Sequence, residues 1–191
     1  MRGLFVSIEG PDGAGKTTLA RALTRRLAAA GLDPLEVREP GGTPVAEAAR
    51  HAFLDPGMDA GPAAELFLLL AARADLVAKR IRPALAAGRV VVSDRFDLST
   101  EAYQIAGRGL DADVVRAANR LATGGLAPDL ILVLDLPPEL GLARQTASGK
   151  ESDRLERAEP AVHARAAAFF RAARGSTVVH LDAARAAAQV E

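Results

Sequence analysis

Nine residues near the start of the chain, Gly10-Pro11-Asp12-Gly13-Ala14-Gly15-Lys16-Thr17-Thr18, carry its most explicit chemistry. They contain the pattern G-x-x-x-x-G-K-[ST] between an apolar run that reads as a strand and an Ala/Leu/Arg run of helical period, the setting the pattern requires. Gly10, Gly13 and Gly15 allow backbone turns that aim N–H groups at a phosphate, and a helix beginning near Lys16 adds its positive end. Lys16 supplies a mobile point charge to β and γ oxygens, and the Thr17 hydroxyl can ligate Mg²⁺. The competing reading is a Gly-rich turn without a ligand, which the strand-turn-helix setting argues against. A bound nucleoside triphosphate is therefore expected. What is done with it stays open, because motors, switches and small-molecule kinases share the loop.

Two further polar segments end apolar runs. One is Arg38-Glu39-Pro40-Gly41-Gly42-Thr43; the other runs from Asp94-Arg95 through Phe96, Asp97, Leu98, Ser99, Thr100, Glu101, Ala102 and Tyr103 to Gln104. An Asp-Arg pair where a buried strand leaves a sheet must be solvated by ligand, ion or partner. The bland alternative is an Asp94–Arg95 ion pair tying strand to helix. A guanidinium suits a phosphate because its fork binds two oxygens at once.

The elements that must position these residues alternate. Strands are expected at 4–9, 35–38, 89–93, 129–136 and 177–181. Helices are expected at 17–30, at 44–54 with Thr43 as N-cap, and at 62–87, kinked before Pro83 and stopped by Gly88; a last one starts near Ala183. Such alternation gives a parallel sheet with helices on both faces, and ligands then sit at the C-terminal strand ends. The 191 residues fit one domain, 49% hydrophobic, with 24 basic and 24 acidic side chains that cancel and so steer toward neither nucleic acid nor membrane. The absence of cysteine excludes disulfides and thiolate metal sites and suits a reducing, cytoplasmic setting. The first ten residues do not read as a signal peptide, and no apolar run approaches the ~20 residues of a membrane span. His51, His163 and His180 match no ligand spacing and read as surface or strand-end residues.

Taken together, the segments resemble the thymidylate kinase family. Val92 to Gln104 is similar to that family's signature throughout, and Arg38 to Thr43 resembles its bacterial form. Ala71-Ala72-Arg73, Gly107-Arg108-Gly109, Pro128-Asp129-Leu130 and Asp153-Arg154-Leu155-Glu156 also match, in family order from Phe5 to about Ala183. The resemblance implies a five-stranded parallel sheet with flanking helices in the P-loop nucleoside monophosphate kinase architecture. It implies one domain over 1–191 with a lid at about 144–157, a homodimer, and transfer of a phosphoryl from ATP to dTMP with Mg²⁺. Residue by residue it implies that Arg95 holds the dTMP phosphate with Asp12 beside the acceptor and its metal, and that Thr17 and Asp94 serve the metal. Arg73 would donate to a thymine carbonyl, Thr100 and Gln104 would line the base edge, and Tyr103 would lie against the sugar. Glu39 and Pro40 would form a further wall, with Arg50 as an additional contact. Gly10 to Thr18 with Arg144 would hold ATP, and Lys16, Arg95, Asp12 and Arg154 would serve transfer.

Two departures stand out. The family's usual phenylalanine four residues before Arg73 is Leu69 here, and Phe67, about 200° away round a helix, reads as core; Phe96 or another group would have to fill in. The lid is thin in arginine, with Arg144, Lys150 and Arg154 remaining. Another nucleoside monophosphate or small-molecule kinase, or a nucleotide-dependent switch, are the alternatives.

Overall fold

The computed structural model describes residues 2–147, 154–155 and 158–185. Among them, five strands form one parallel sheet: β1 (Phe5–Glu9), β2 (Pro34–Arg38), β3 (Val90–Asp94), β4 (Leu130–Asp135) and β5 (Val178–Asp182), in the order β2-β3-β1-β4-β5. The expected strands are all present, displaced by at most a residue or so at their ends. Every residue of β1 is buried, as its position in the middle of the sheet demands. Alternate side chains feed two cores. Phe5, Val37 and Val91 pack with Leu76, Ile81 and Leu85 on one face, while Ile8, Val92 and Leu134 pack with Leu19 and Ala20 on the other.

The covering helices are α1 (Lys16–Ala29), α2 (Pro44–Leu54), α3 (Pro62–Leu76), α4 (Arg82–Ala86), α5 (Asp97–Thr100), α6 (Ala112–Thr123), α7 (Pro138–Ala147) and α8 (Pro160–Ala172). Thr43 caps α2 as expected, accepting the Ala46 N–H at 3.1 Å and donating to Asp75 at 2.6 Å. The segment 62–87 is helical throughout, but the turn before Pro83 is a π turn, Val77–Ile81, closed by the Arg82 N–H on the Val77 carbonyl. Pro83 cannot donate to the Lys79 carbonyl and its ring crowds that oxygen, so the ladder widens there. A second π turn, Glu101–Gly107, follows α5 and carries Tyr103 and Gln104. The helix expected from Ala183 lies largely outside the described residues.

One expectation is corrected. Phe67 is not core but 67% exposed. The buried side of α3 is Leu66, Leu70, Arg73 and Leu76, spaced by three and four, and Phe67 stands opposite. With apolar residues on nearly every side of α3, periodicity could not choose the inward face.

The phosphate loop and α7 meet backbone to backbone. A Cβ on Gly13 would stand 2.3 Å from the Gly141 carbonyl oxygen, and one on Gly141 2.4 Å from the Asp12 carbonyl oxygen. Gly141→Ala should therefore cost about 2 kcal/mol after allowing for alanine's better helix propensity. Gly31→Ala, at φ 82° with nothing within 4 Å, should lose only about 1 kcal/mol of left-handed backbone preference. Urea unfolding of both variants checks this; a Gly141→Ala protein as stable as wild type would mean the two backbones are not in contact.

Candidate active site

β1 hands its last residue to the phosphate loop, whose Gly15 (φ 92°) starts α1. The first turn of α1 has no acidic residue, and its free N–H groups and positive end face the C-terminal edge of the sheet. Lys16 is buried and its ammonium donates to the Pro11 carbonyl at 2.7 Å. Burial, and next the Arg95 guanidinium, lower its pKa to about 8 against the opposing pull of Asp12. The Thr17 hydroxyl donates to Asp94 Oδ2 at 2.5 Å.

β3 ends beside β1 in the turn that carries Arg95, the non-glycine residue with positive φ (73°) among those described, a conformation costing ~1–2 kcal/mol. Its guanidinium is ion-paired with Asp12 and donates to Ser99 at 3.0 Å and the Gly10 carbonyl at 3.3 Å. The Tyr103 hydroxyl donates to the other Asp12 oxygen at 2.7 Å, and the Arg95 guanidinium stands over the Tyr103 ring at 5.4 Å. Burial alone would raise the Asp12 carboxyl, but Arg95, Lys16 and the Tyr103 hydroxyl outweigh it and bring the pKa down to about 2. Arg95 is thus paired with Asp12, and Asp94 is taken up by Thr17; the Asp94–Arg95 tie is not formed.

At the far end of the same cleft, α3 presents Arg73 almost fully buried. Its Nε donates to Glu39 at 2.7 Å, Nη1 to Thr100 at 2.9 Å and Asn119 at 2.6 Å, and Nη2 to the Phe96 carbonyl at 2.9 Å, while Nη2 also stands 2.5 Å from the same Glu39 oxygen in an ion pair. All three guanidinium nitrogens are thereby engaged. Burial raises the Glu39 carboxyl despite this partner. Phe96 also lines the cleft, but it is fully buried, its ring edge-to-face with Phe5 at 4.8 Å and under Arg73 at 5.0 Å. Leu69 lines the cleft with aliphatic surface only. What remains for a polar ligand is Gln104. It is 1% exposed, and neither its carbonyl nor its amide has a protein partner; Glu39 Oε1 is in the same state. Buried polar atoms are nearly always paired in a working protein.

These groups share one cleft of about 440 Å³. Asp12, Gly13, Gly15, Lys16, Thr17, Thr18, Glu39, Pro40, Arg50, Leu69, Arg73, Asp94, Arg95, Thr100, Tyr103, Gln104 and Arg144 all line it. Gly10, Pro11 and Ala14 do not, although the Gly10 and Pro11 carbonyls hold Arg95 and Lys16. Arg154 also stands elsewhere. It donates to Glu65 at 2.7 Å and to the Phe53 and Ala60 carbonyls, and Glu65 is gripped from its other side by Arg108. Lys150, Asp153 and Glu156 lie outside the described residues. His163 differs from the surface position expected of it: Nδ1 is 3.9 Å from Asp12 Oδ2, and its ring meets Tyr103 edge-on. His180 is held by Asp135 at 2.8 Å on β5.

Sequence reasoning missed Arg38, Phe53, Leu54, Ser99, Gln145 and Leu155, which also line the cleft, and Asn119 behind Arg73. Arg38 and Ser99 stood within the quoted segments; nothing in the sequence marked Asn119. The Thr17 and Asp94 oxygens are hard donors at the phosphate loop. They fit Mg²⁺, which takes few protein ligands and shares its shell with phosphates and water. Among the described residues no group of three or more His, Cys, Asp or Glu forms a cage that would hold a metal without a nucleotide.

Comparison with known proteins agrees with this geometry. The family model for thymidylate kinase matches residues 8–191. A thymidylate kinase of Thermomicrobium roseum is 49% identical over 169 residues, covering 88% of this chain and 80% of the relative. One from Pseudomonas fluorescens Pf-5 is 47% identical over 195 residues, covering 100% and 92%. One from Deinococcus radiodurans is 47% identical over 164 residues, covering 86% and 79%. A match of this extent takes in the phosphate loop, the Arg95 turn and the buried Gln104 alike, and the chain belongs to the thymidylate kinase family.

Proposed function

We propose that this protein transfers the γ-phosphoryl of ATP to dTMP, giving dTDP, as one kinase domain over 1–191 with residues 144–157 as its lid. The observation that carries the reading is the buried, unpartnered Gln104 carboxamide in the cleft that also contains Arg95 and the phosphate loop. An adjacent acceptor and donor match the N3–H and carbonyl of a pyrimidine imide edge, and a site built to hydrogen-bond an edge rejects ligands lacking it strongly. Tyr103, tethered to Asp12, fills the space beside the sugar.

Phosphoryl transfer asks for alignment and charge neutralisation. ATP would lie along the loop with Lys16 and the α1 N-terminus on its β- and γ-phosphates and Arg144 above. The acceptor phosphate would take over donors of Arg95 now held by Asp12 and Ser99. That phosphate is already an anion near neutral pH, so no general base is needed. Thr17 and Asp94 would hold Mg²⁺, which when bound neutralises charge on the transferring phosphates. Among the described lid cations Arg144 is the one on the cleft; Arg154 would assist only after leaving Glu65.

Two features favour a second reading, another nucleoside monophosphate as acceptor. Leu69 offers no stacking ring, and the Gln104 carboxamide, turned over, matches cytosine. A coupled assay across nucleoside monophosphates decides: dTMP should be preferred at least tenfold over dCMP and dUMP, and an equal or better rate with another acceptor sinks the dTMP reading.

Arg95→Ala should raise KM for dTMP and lower kcat by a combined factor of about 100 or more, the scale of losing a charge-assisted hydrogen-bond pair. Its ATP affinity, titrated with a non-hydrolysable analogue, should change by about twofold or less. A matching loss of ATP affinity would move Arg95 from the acceptor to the donor side.

We also propose that the protein is a homodimer. Phe67 of α3 and Val114 and Leu121 of α6 are 67%, 63% and 85% exposed, and α3 packs on α6, so together they offer an apolar face suited to a second copy. Light scattering should give twice the chain mass for wild type and the chain mass for Phe67→Asp; a monomeric wild type overturns the assignment. A cytoplasmic location belongs to the same reading, suits a chain without cysteine, and is checked by cell fractionation.

A further inference from the structure

Glu9 has no part in the reaction as described above, yet it is a fully buried acid (0% exposed) at the last position of β1. Oε1 accepts the Phe96 backbone N–H at 2.8 Å, and Oε2 accepts the Ser99 hydroxyl at 2.5 Å. The preceding residue does the same for the neighbouring amide: the Arg95 N–H bonds the Ile8 carbonyl at 3.0 Å. Two consecutive N–H groups, one on the left-handed residue Arg95 and one just after it, are thus tied to two consecutive residues of β1. Ser99 continues the chain by accepting Arg95 Nη1 at 3.0 Å. Glu9, Ser99, Arg95, Asp12 and Tyr103 therefore form one hydrogen-bonded series running from the sheet to the acceptor end of the cleft.

A glutamine has one oxygen and could accept only one of these two donors, whereas a carboxylate accepts both. Burying the charge is costly, and only a function for the second acceptor offsets it. We propose that Glu9 is a positioning residue for the acceptor phosphate: by holding the Phe96 N–H and the Ser99 hydroxyl together, it fixes the direction in which the Arg95 guanidinium leaves the sheet. This rests on the reading of Arg95 as the acceptor-phosphate ligand.

The arrangement carries a pH dependence. Burial pushes the Glu9 carboxyl up to about 7, with Ser99 opposing. The charged groups that face it are Asp97 of α5, Arg95 of the turn and Arg73 of α3, and Lys16 of α1 feels its charge. Once protonated, Glu9 no longer accepts the Ser99 proton but donates to its oxygen, so the Ser99 hydroxyl must turn its own proton to another acceptor and no longer holds Arg95 in the same direction. Acceptor binding should accordingly weaken as pH falls through about 7.

The test measures KM and kcat at saturating ATP with whichever monophosphate the wild type turns over best, from pH 5.5 to 8.5. If that acceptor is not dTMP, the substrate reading fails in the wild type, before any variant is compared. Glu9→Gln and Ser99→Ala should each raise KM for the acceptor about tenfold with KM for ATP within about twofold. The double variant should cost no more than the worse single one, because the two act through one chain. The acceptor phosphate's own ionisation appears in every protein, so the informative quantity is the wild-type inflection that both variants should lack. Additive losses, an equal rise in KM for ATP, or an inflection retained in the variants would overturn the proposal. Should Glu9→Gln fail to fold by circular dichroism, the Ser99→Ala pH profile decides alone: loss of the inflection supports the chain, and its retention overturns it.

Discussion

A hydrogen bond of 3.0 Å from the Arg95 N–H to the Ile8 carbonyl extends the pairing of β1 with β3 one step beyond the sheet, and the cleft is organised around it. Because the two strands are parallel neighbours with Ile8 opposite Asp94, their chains leave the sheet on the same edge and side by side. One becomes the phosphate loop and the other the Asp94–Arg95 turn. The cross-links that follow, Thr17 to Asp94, Arg95 to Asp12 and the Phe96 N–H to Glu9, each join the β1 side of this junction to the β3 side. A donor site and an acceptor site built from separate stretches of sequence are in this way held to one geometry by strand order, which is why ligands gather at this edge of open parallel sheets.

The buried charges around that junction divide by the company they keep. Asp12 faces Arg95, Lys16 and a phenol and is held low, whereas Glu9 accepts from an amide and a hydroxyl and is pushed high by burial. Two acids a few residues apart thus respond oppositely to the same low-polarity surroundings. Arg73 is the third case. With its three nitrogens bonded to Glu39, Thr100, Asn119 and Phe96, it behaves as a brace that fixes the walls of that end of the cleft. Removing one partner of such a buried pair costs ~3–5 kcal/mol because the other charge is left uncompensated. The neutral Gln104 is left with its buried carboxamide unpartnered in the same cleft.

Much of this was legible in the sequence. Short β-branched runs alternating with longer helical ones gave the strands to within a residue or so at each end, and the Gly-rich pattern placed the phosphate loop, because both signals are local. The inward face of α3 was not legible: a helix apolar on nearly all sides has no amphipathic stripe, and nothing in its periodicity shows that Phe67 points out. The π turn at 77–81 answers a proline that sequence marks but whose remedy depends on packing. Asn119, Glu65 and Glu9 act through residues 46, 89 and 90 positions away respectively, in the bonds Asn119–Arg73, Glu65–Arg154 and Glu9–Ser99. A single sequence carries no local sign of such pairings. The place of His163 is illegible for the same reason, since its neighbour Asp12 lies in the first loop of the chain.

The contact of Gly13 with Gly141 ties the composition of one loop to the reach of another. Any side chain at 13 would have to displace α7 outward, and Arg144, three residues after Gly141 on adjoining helical surface, would travel with it. The helix that carries Arg144 to the cleft can therefore sit this close only while position 13 is bare. The residue at one position of the phosphate loop thus sets how near the side chains of α7, Arg144 among them, can come to the cleft.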